Sequence, residues 1–242
     1  MTAVRVSFKT LNGGDQPPPV YQYIQCHIIF EIKLDGFRRK ARLVGAGCMV
    51  KDTPAVVTYA SVVSRETVRI ALTIAALNDL EVKASNVMNA FLTALCTEKI
   101  WTTLGPEFGE NVGKKAIIVR VLYGLKSAEA SFSNHIADCM QLFGYEPCRA
   151  DPYLWFKAQV RPEDGFEYYE YVLLYVDDSL SISYDAMNAL DRMDKFFMIK
   201  KDSIGDPDIY LGAKLRKVQL DNGVFSWGMS PTKYVQEAVR NV

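Results

Sequence analysis

Two adjacent carboxylates, Asp177 and Asp178, sit in the part of the chain best suited to chemistry. Before them runs Tyr171-Val172-Leu173-Leu174-Tyr175-Val176, apolar throughout; after them Leu180, Ile182 and Tyr184 alternate with Ser179, Ser181 and Ser183. Aromatic and β-branched residues on both sides of a polar tip describe a β-hairpin. Two readings of the tip stand. Asp-Asp is ordinary turn chemistry. Yet a strand apolar on both faces belongs in the middle of a sheet, where paired acids do little for solubility and instead suggest a divalent metal.

Other chemistries find less support. The cysteines (Cys26, Cys48, Cys96, Cys139, Cys148) are odd in number, scattered and never in a Cys-x-x-Cys pair, which argues against structural zinc and for free thiols in a reducing compartment. Two distant histidines, His27 and His135, with no Gly-x-Ser-x-Gly setting, argue against a triad hydrolase.

The elements that must position the carboxylates follow from periodicity and punctuation. Residues 12 to 19, with two glycines and three prolines, form a loop. Tyr21 to Leu34 reads as a strand, Asp35-Gly36 as a turn, and Phe37 to Met49 as a second strand carrying Arg38, Arg39, Lys40 and Arg42. Ser64 caps a buried helix through about Leu77. Leu80 to Leu92 begins as a strand, and a short strand follows at Ala116 to Leu122. Ser127 caps a helix with Phe132, Ile136, Cys139, Met140 and Phe143 at helical spacing, ended by Gly144. A strand at Tyr153 to Lys157 and an acidic turn around Arg161 to Gly165 lead into the Asp177-Asp178 hairpin. Asp185 then caps a helix with Met187, Leu190, Met193 and Phe197 inward. Ile209 to Gln219 and Gly223 to Met229 form another hairpin, and Ser230-Pro231 opens a last helix.

The chain has 242 residues, 49% apolar and 23% charged, which excludes disorder, collagen-like repeats and a disulfide-dense mini-protein. No apolar run reaches the roughly 18 residues of a membrane span and the N-terminus lacks a signal peptide's apolar core, so a soluble intracellular protein is expected. With 28 basic and 28 acidic side chains the net charge is zero, an unusual balance for a dedicated nucleic-acid binder. The sum hides local sign. Cations gather at Arg38, Arg39, Lys40 and Arg42 and at Lys214, Arg216 and Lys217, and acids at Asp177-Asp178 and around Glu163 to Glu170.

Five segments in order carry a resemblance. Gly36-Phe37-Arg38-Arg39-Lys40-Ala41-Arg42-Leu43-Val44, Val87-Met88-Asn89-Ala90-Phe91-Leu92, Leu122-Tyr123-Gly124-Leu125-Lys126-Ser127-Ala128, Tyr175-Val176-Asp177-Asp178 and Tyr210-Leu211-Gly212 together resemble the reverse transcriptase of copia-type LTR retrotransposons, over about residues 4 to 242. The resemblance implies an α+β right-hand polymerase fold, with an antiparallel palm sheet backed by helices and a truncated thumb. Fingers would span 1–77 and 93–120, a palm motif strand 78–92, the palm 121–228 and the start of a thumb 229–242.

The same resemblance implies nucleotidyl transfer with two Mg²⁺ about 4 Å apart, Mn²⁺ being an alternative. Asp177 would be a direct ligand and Asp178 an auxiliary one. Phe91 would lie beneath the sugar and exclude a ribose 2′-hydroxyl; Lys40 and Arg42 would meet the triphosphate. Tyr123, Gly124 and Lys126 would border the nucleotide and templating base, and Tyr210, Leu211 and Gly212 the primer end. Implied partners are an RNA or DNA template, a DNA primer, deoxynucleoside triphosphates and the protease, integrase and RNase H regions of a Pol polyprotein, with no membrane. The implied location is cytoplasmic, in the family's virus-like particle, or nuclear.

One position breaks the pattern. The family's first catalytic acid stands five residues before the sugar gate, and five before Phe91 is Asn86. An amide offers one neutral oxygen where a bridging carboxylate is expected, so a loss of about 3 kcal/mol, or about a hundredfold in rate, is expected. Asp79 and Glu81 lie at odd offsets from Asn86 and should face the other way. Glu129, at a helix start near the template, and Cys48, after Gly45-Ala46-Gly47, also depart from the family. The expected function is therefore an impaired reverse transcriptase, with a non-catalytic nucleic-acid-binding relic as the alternative. A metal-dependent phosphohydrolase built on Asp177 and Asp178 is a third reading, though no further acidic or histidine cluster accompanies them.

Overall fold

The computed structural model describes residues 7–33, 37–51 and 60–240. The chain divides into two compact units, Met1–Ala60 with Asn89–Ala137, and Ser61–Met88 with Asp138–Val242.

In the first unit, β1 (Phe8–Thr10), β2 (Gln22–Tyr23), β6 (Ile100–Thr103) and β7 (Lys115–Ile118) form a sheet in the order β1-β7-β6-β2. A hairpin of β3 (Cys26–Lys33) and β4 (Arg38–Gly45) stands as its own two-stranded sheet, paired from Cys26 opposite Gly45 to Lys33 opposite Arg38. Its base is apolar: Leu43, Leu104, Phe108 and Ala116 form a small core with Phe8, Cys26 and Ile28 against it. The expected Asp35-Gly36 turn lies outside the described residues. Two expected strands are shorter than their patterns. Tyr21 to Leu34 divides after Tyr23, because Gln22 and Tyr23 pair in parallel with Ile100 and Trp101 while Cys26 onward pairs with β4. The strand from Phe37 stops at Gly45, and Gly47–Met49 is a 3₁₀ turn, because this backbone presses on the turn around Gly124.

The second unit holds a five-stranded antiparallel sheet in the order β5-β11-β10-β9-β8, made of β5 (Glu81–Asn86), β8 (Glu146–Pro147), β9 (Leu154–Val160), β10 (Glu167–Tyr175) and β11 (Asp178–Ser183). Helix α1 (Arg65–Leu77) begins at Ser64, whose hydroxyl accepts from the Thr67 N–H at 3.1 Å. Its buried stripe, Val68, Leu72 and Ala75, joins Val82, Leu173, Leu180 and Ile182 in one core, each fully buried Leu or Ile contributing about 1.5–3 kcal/mol. The other face carries Ser179, Ser181 and Ser183, and it too is buried. Helix α4 (Ala186–Asp194) lies against β11 and β5, capped by the Asp185 carboxylate on the Asn188 N–H, with Ala186, Ala189, Leu190 and Met193 inward. Phe197, beyond the helix end, is also buried, but Met187 is 37% exposed, one position off the buried stripe, and corrects the expected inward set.

Helix α3 (Ala128–Leu142) starts in the first unit and ends in the second, after the four-residue α2 (Ala90–Thr93). A three-stranded sheet, β12 (Ile209–Tyr210), β13 (Ala213–Gln219) and β14 (Phe225–Ser230), precedes α5 (Thr232–Arg240). The single strand expected over Ile209 to Gln219 is broken, because Leu211 and Gly212 both take positive φ, 52° and 71°, and turn the chain back within two residues. Among the described residues no helix is long and apolar enough to cross a membrane.

Candidate functional site

Asp178 is the first residue of β11 and pairs with Tyr175, leaving Val176 and Asp177 as a two-residue hairpin turn. Val176 takes φ 53°, a position that favours glycine and is strained for a β-branched side chain. The strain is held by neighbours. The Val87 N–H donates to the Asp177 carbonyl at 2.7 Å, and Asp178 lies opposite Asn86 at the end of β5. Beneath the turn the hydroxyls of Ser85 and Ser179 are 2.6 Å apart and buried. The strand geometry therefore brings together three side chains singled out in the sequence: Asn86, Asp177 and Asp178.

Their polar atoms are engaged with one another. Asn86 Nδ2 donates to Asp178 Oδ1 at 2.6 Å and to Asp177 Oδ2 at 3.2 Å. Lys200 Nζ donates to Asn86 Oδ1. Burial pushes the Asp178 carboxyl above the usual carboxylate range; the Asn86 amide opposes that, the Asp177 charge adds to it, and the Lys200 ammonium opposes it. Sequence reasoning missed Lys200, which has no local signal and lies 114 residues from its partner.

Two carboxylates suit one hard cation, but a bridged pair of cations needs a third carboxylate. Glu81 does not supply it, since it sits at the other end of β5 opposite Ser183, and Asp79 lies in the turn before the strand with φ 49°. Among the described residues no group of three His, Cys, Asp or Glu is placed to hold a metal. At residue 86 the side facing the acids presents N–H donors, the wrong polarity for a cation ligand. The residues present fit one ion and not a bridged pair.

Phe91, Tyr123, Gly124, Lys126, Lys40 and Arg42 belong to the first unit. The Phe91 ring stands edge-on to Tyr123 at 5.1 Å and to Phe132 at 6.1 Å. The Arg42 guanidinium lies 5.9 Å from the centre of the Tyr123 ring and forms an ion pair with Glu31, which is opposite Lys40 in the hairpin. Lys126 Nζ donates to the Val50 carbonyl at 3.1 Å. The Gly45 N–H donates to the Tyr123 carbonyl at 2.8 Å. Gly124, at φ 86°, approaches so closely that a Cβ there would lie 2.5 Å from the Gly45 oxygen. Ser127 stands immediately before the helix behind this turn, where its cap is expected, and its carbonyl accepts from the Ser131 N–H at 2.8 Å. Buried Glu98 accepts from the Ser127 N–H at 3.0 Å and from its hydroxyl, a carboxylate at the N-terminus of α3 that sequence reasoning also missed.

Tyr210 is a core residue, 2% exposed, its hydroxyl donating to the Leu173 carbonyl at 3.0 Å; Leu211 and Gly212 form the hairpin tip beside it. All five cysteines are free. Burial pushes the Cys26 thiol up to about 11 and the Cys96 thiol up to about 12, which leaves both protonated and unreactive at neutral pH. Glu129 lies in the first turn of α3 and Cys48 is exposed.

Residues 17–240 match the family described as reverse transcriptase (RNA-dependent DNA polymerase). The retrovirus-related Pol polyprotein from transposon TNT 1-94 of Nicotiana tabacum is 30% identical over 229 residues, 89% of this chain and 16% of that protein. The corresponding polyprotein from transposon RE2 of Arabidopsis thaliana is 26% identical over 214 residues, 84% of this chain and 14% of its own length. The chain thus spans a small part of the relatives it matches. Among solved structures, a foamy viral protease-reverse transcriptase in complex with double-stranded DNA aligns with a TM-score of 0.51 at 13% identity, over 99% of this chain and 34% of that one. The likeness bears out the α+β polymerase fold read from the motifs.

Proposed function

The chain belongs to the reverse transcriptase (RNA-dependent DNA polymerase) family, and from that membership we propose that it is the template-copying region of a copia-type retrotransposon Pol polyprotein, impaired in catalysis at Asn86. The observation that carries the impairment is the Asn86 amide, which donates to both Asp177 and Asp178 where the family's chemistry wants a third acceptor. The fingers, palm and thumb of this reading are those that the resemblance implies.

Each residue has its part. Asp177 and Asp178 would hold one Mg²⁺ or Mn²⁺. When bound, such an ion neutralises triphosphate charge and lowers the pKa of a primer hydroxyl. Phe91, braced by Tyr123 and Phe132, presents a rigid ring to the sugar and so disfavours a ribose 2′-hydroxyl. Lys40 and Arg42 meet the triphosphate, Arg42 after leaving Glu31. Tyr123, Gly124 and Lys126 border the templating base, the backbone contact with Gly45 fixing their turn. Tyr210 anchors the Leu211-Gly212 tip that supports the primer end. The partners are an RNA or DNA template, a DNA primer and deoxynucleoside triphosphates, along with the other Pol regions.

A second reading, a nucleic-acid-binding relic without catalysis, draws on the same amide and on Lys200, which leave the acids internally satisfied. Primer extension with Mg²⁺ or Mn²⁺ separates the two. Extension by Asn86→Asp, about a hundredfold faster than by the unaltered chain, supports an impaired polymerase. Extension by neither, with template–primer binding retained, supports the relic.

A further inference from the structure

We propose that Lys200 is the resident cation of this site, forming with Asn86 an internal counter-ion that takes the place of a divalent metal against Asp177 and Asp178. The inference rests on reading those carboxylates as the family's ion-binding pair, and it adds how this chain neutralises them.

The amide is fully used. Its two N–H bonds point one to each carboxylate, and its carbonyl oxygen accepts from the Lys200 ammonium. Turned over, the amide would set its oxygen against two acids and its NH₂ against an ammonium, so the surrounding charges dictate its polarity. An aspartate at 86 could not make this relay, because it has no N–H to offer the neighbouring acids.

Backbone contacts hold Lys200 in place. The Lys200 N–H donates to the Asn86 carbonyl at 3.0 Å, and the Asn86 N–H donates to the Ser203 hydroxyl at 2.9 Å. That hydroxyl donates in turn to the Lys200 carbonyl at 2.6 Å, closing a ring of contacts between the end of β5 and residues 200–203. The backbone at Lys200 is therefore tied to Asn86, which keeps the ammonium within reach of the Asn86 side-chain oxygen.

The charge balance decides the consequence. Two carboxylates and one ammonium sum to −1, so an incoming divalent ion meets half the negative charge that the acids alone would offer. Its attraction falls in a partly buried setting where charges are weakly screened. Restoring an acid at 86 brings the sum to −2 with the ammonium still in place, so the ion is held more tightly than by the unaltered chain but less tightly than it would be without the Lys200 charge.

Titrating the 242-residue chain with Mn²⁺ and following the free ion by electron paramagnetic resonance tests this. Lys200→Gln keeps a donor for the Asn86 carbonyl and removes the charge; it should bind Mn²⁺ about tenfold more tightly than the unaltered chain, whereas Lys200→Arg should not differ from it. The same comparison in a second background, Asn86→Asp against Asn86→Asp with Lys200→Gln, should show a similar gain. Equal Mn²⁺ affinity with and without the Lys200 charge, while Asn86→Asp binds the ion and extends primers, overturns the counter-ion and leaves the family reading standing. A gain of Mn²⁺ on Lys200→Gln, with no extension by any variant, supports the counter-ion and overturns the polymerase reading.

Discussion

At residue 86 the exchange of a carboxylate for an amide removes one negative charge and adds two donors, and those donors settle on Asp177 and Asp178. The same logic of pre-engaged charges applies at Arg42, whose guanidinium is paired with Glu31 and leans on Tyr123. Both partners are roughly one-third exposed, so the pair contributes no more than about 1 kcal/mol and can be broken by a triphosphate. Glu31→Gln frees the guanidinium. It should tighten deoxynucleoside triphosphate binding by up to about fivefold in a fluorescence titration, and an unchanged affinity would remove Arg42 from the proposed nucleotide contacts. Asn86 was legible in the sequence because the spacing to Phe91 marks the position. Its partner Lys200 was not, since a hydrogen bond across 114 residues leaves no periodic trace.

Among elements, α1 shows how a helix start can be fastened from a distance. Its N-cap Ser64 is local chemistry and readable, but Asp151, 87 residues away, accepts from the Ser64 N–H at 2.9 Å, and it also binds the Thr67 hydroxyl at 2.6 Å. Burial alone would raise the Asp151 carboxyl; the hydrogen bonds from Ser64, Thr67 and Tyr153 outweigh it and hold the group below the usual carboxylate range. A carboxyl depressed in the folded state stabilises fully above its unfolded value of about 4, and that contribution is lost as the pH falls through the folded value. Asp151→Asn should therefore cost about 2 kcal/mol in urea unfolding at pH 7, and the deficit should shrink below about pH 4. A deficit independent of pH would assign the effect to packing. The hairpin at Val176-Asp177 was foreseen because alternation flanks it, whereas the turn at Leu211-Gly212 was hidden by an apolar residue in a positive-φ position. Likewise Glu98, 29 residues upstream of Ser127, supplies a carboxylate at the start of α3 that no local pattern announces.

At the scale of the whole chain, equal numbers of acids and bases leave no surplus for gripping a nucleic acid. The basic side chains gather locally, at Arg38, Arg39 and Lys40 on β4 and Arg216 and Lys217 on β13. Binding to a template–primer should accordingly release counterions from about five phosphates, a slope of about −4 to −5 in log affinity against log salt. A slope near −10 would mean a far larger basic footprint. The family and fold were legible because five motifs in order survive, while the state of the site depends on one changed residue and the contacts it recruits. The most direct measurement is primer extension by the 242-residue chain and by Asn86→Asp under the same Mg²⁺ or Mn²⁺ concentration. Little or no product is expected from the unaltered chain and about a hundredfold more from Asn86→Asp. Equal, efficient extension by both would contradict an impairment at Asn86.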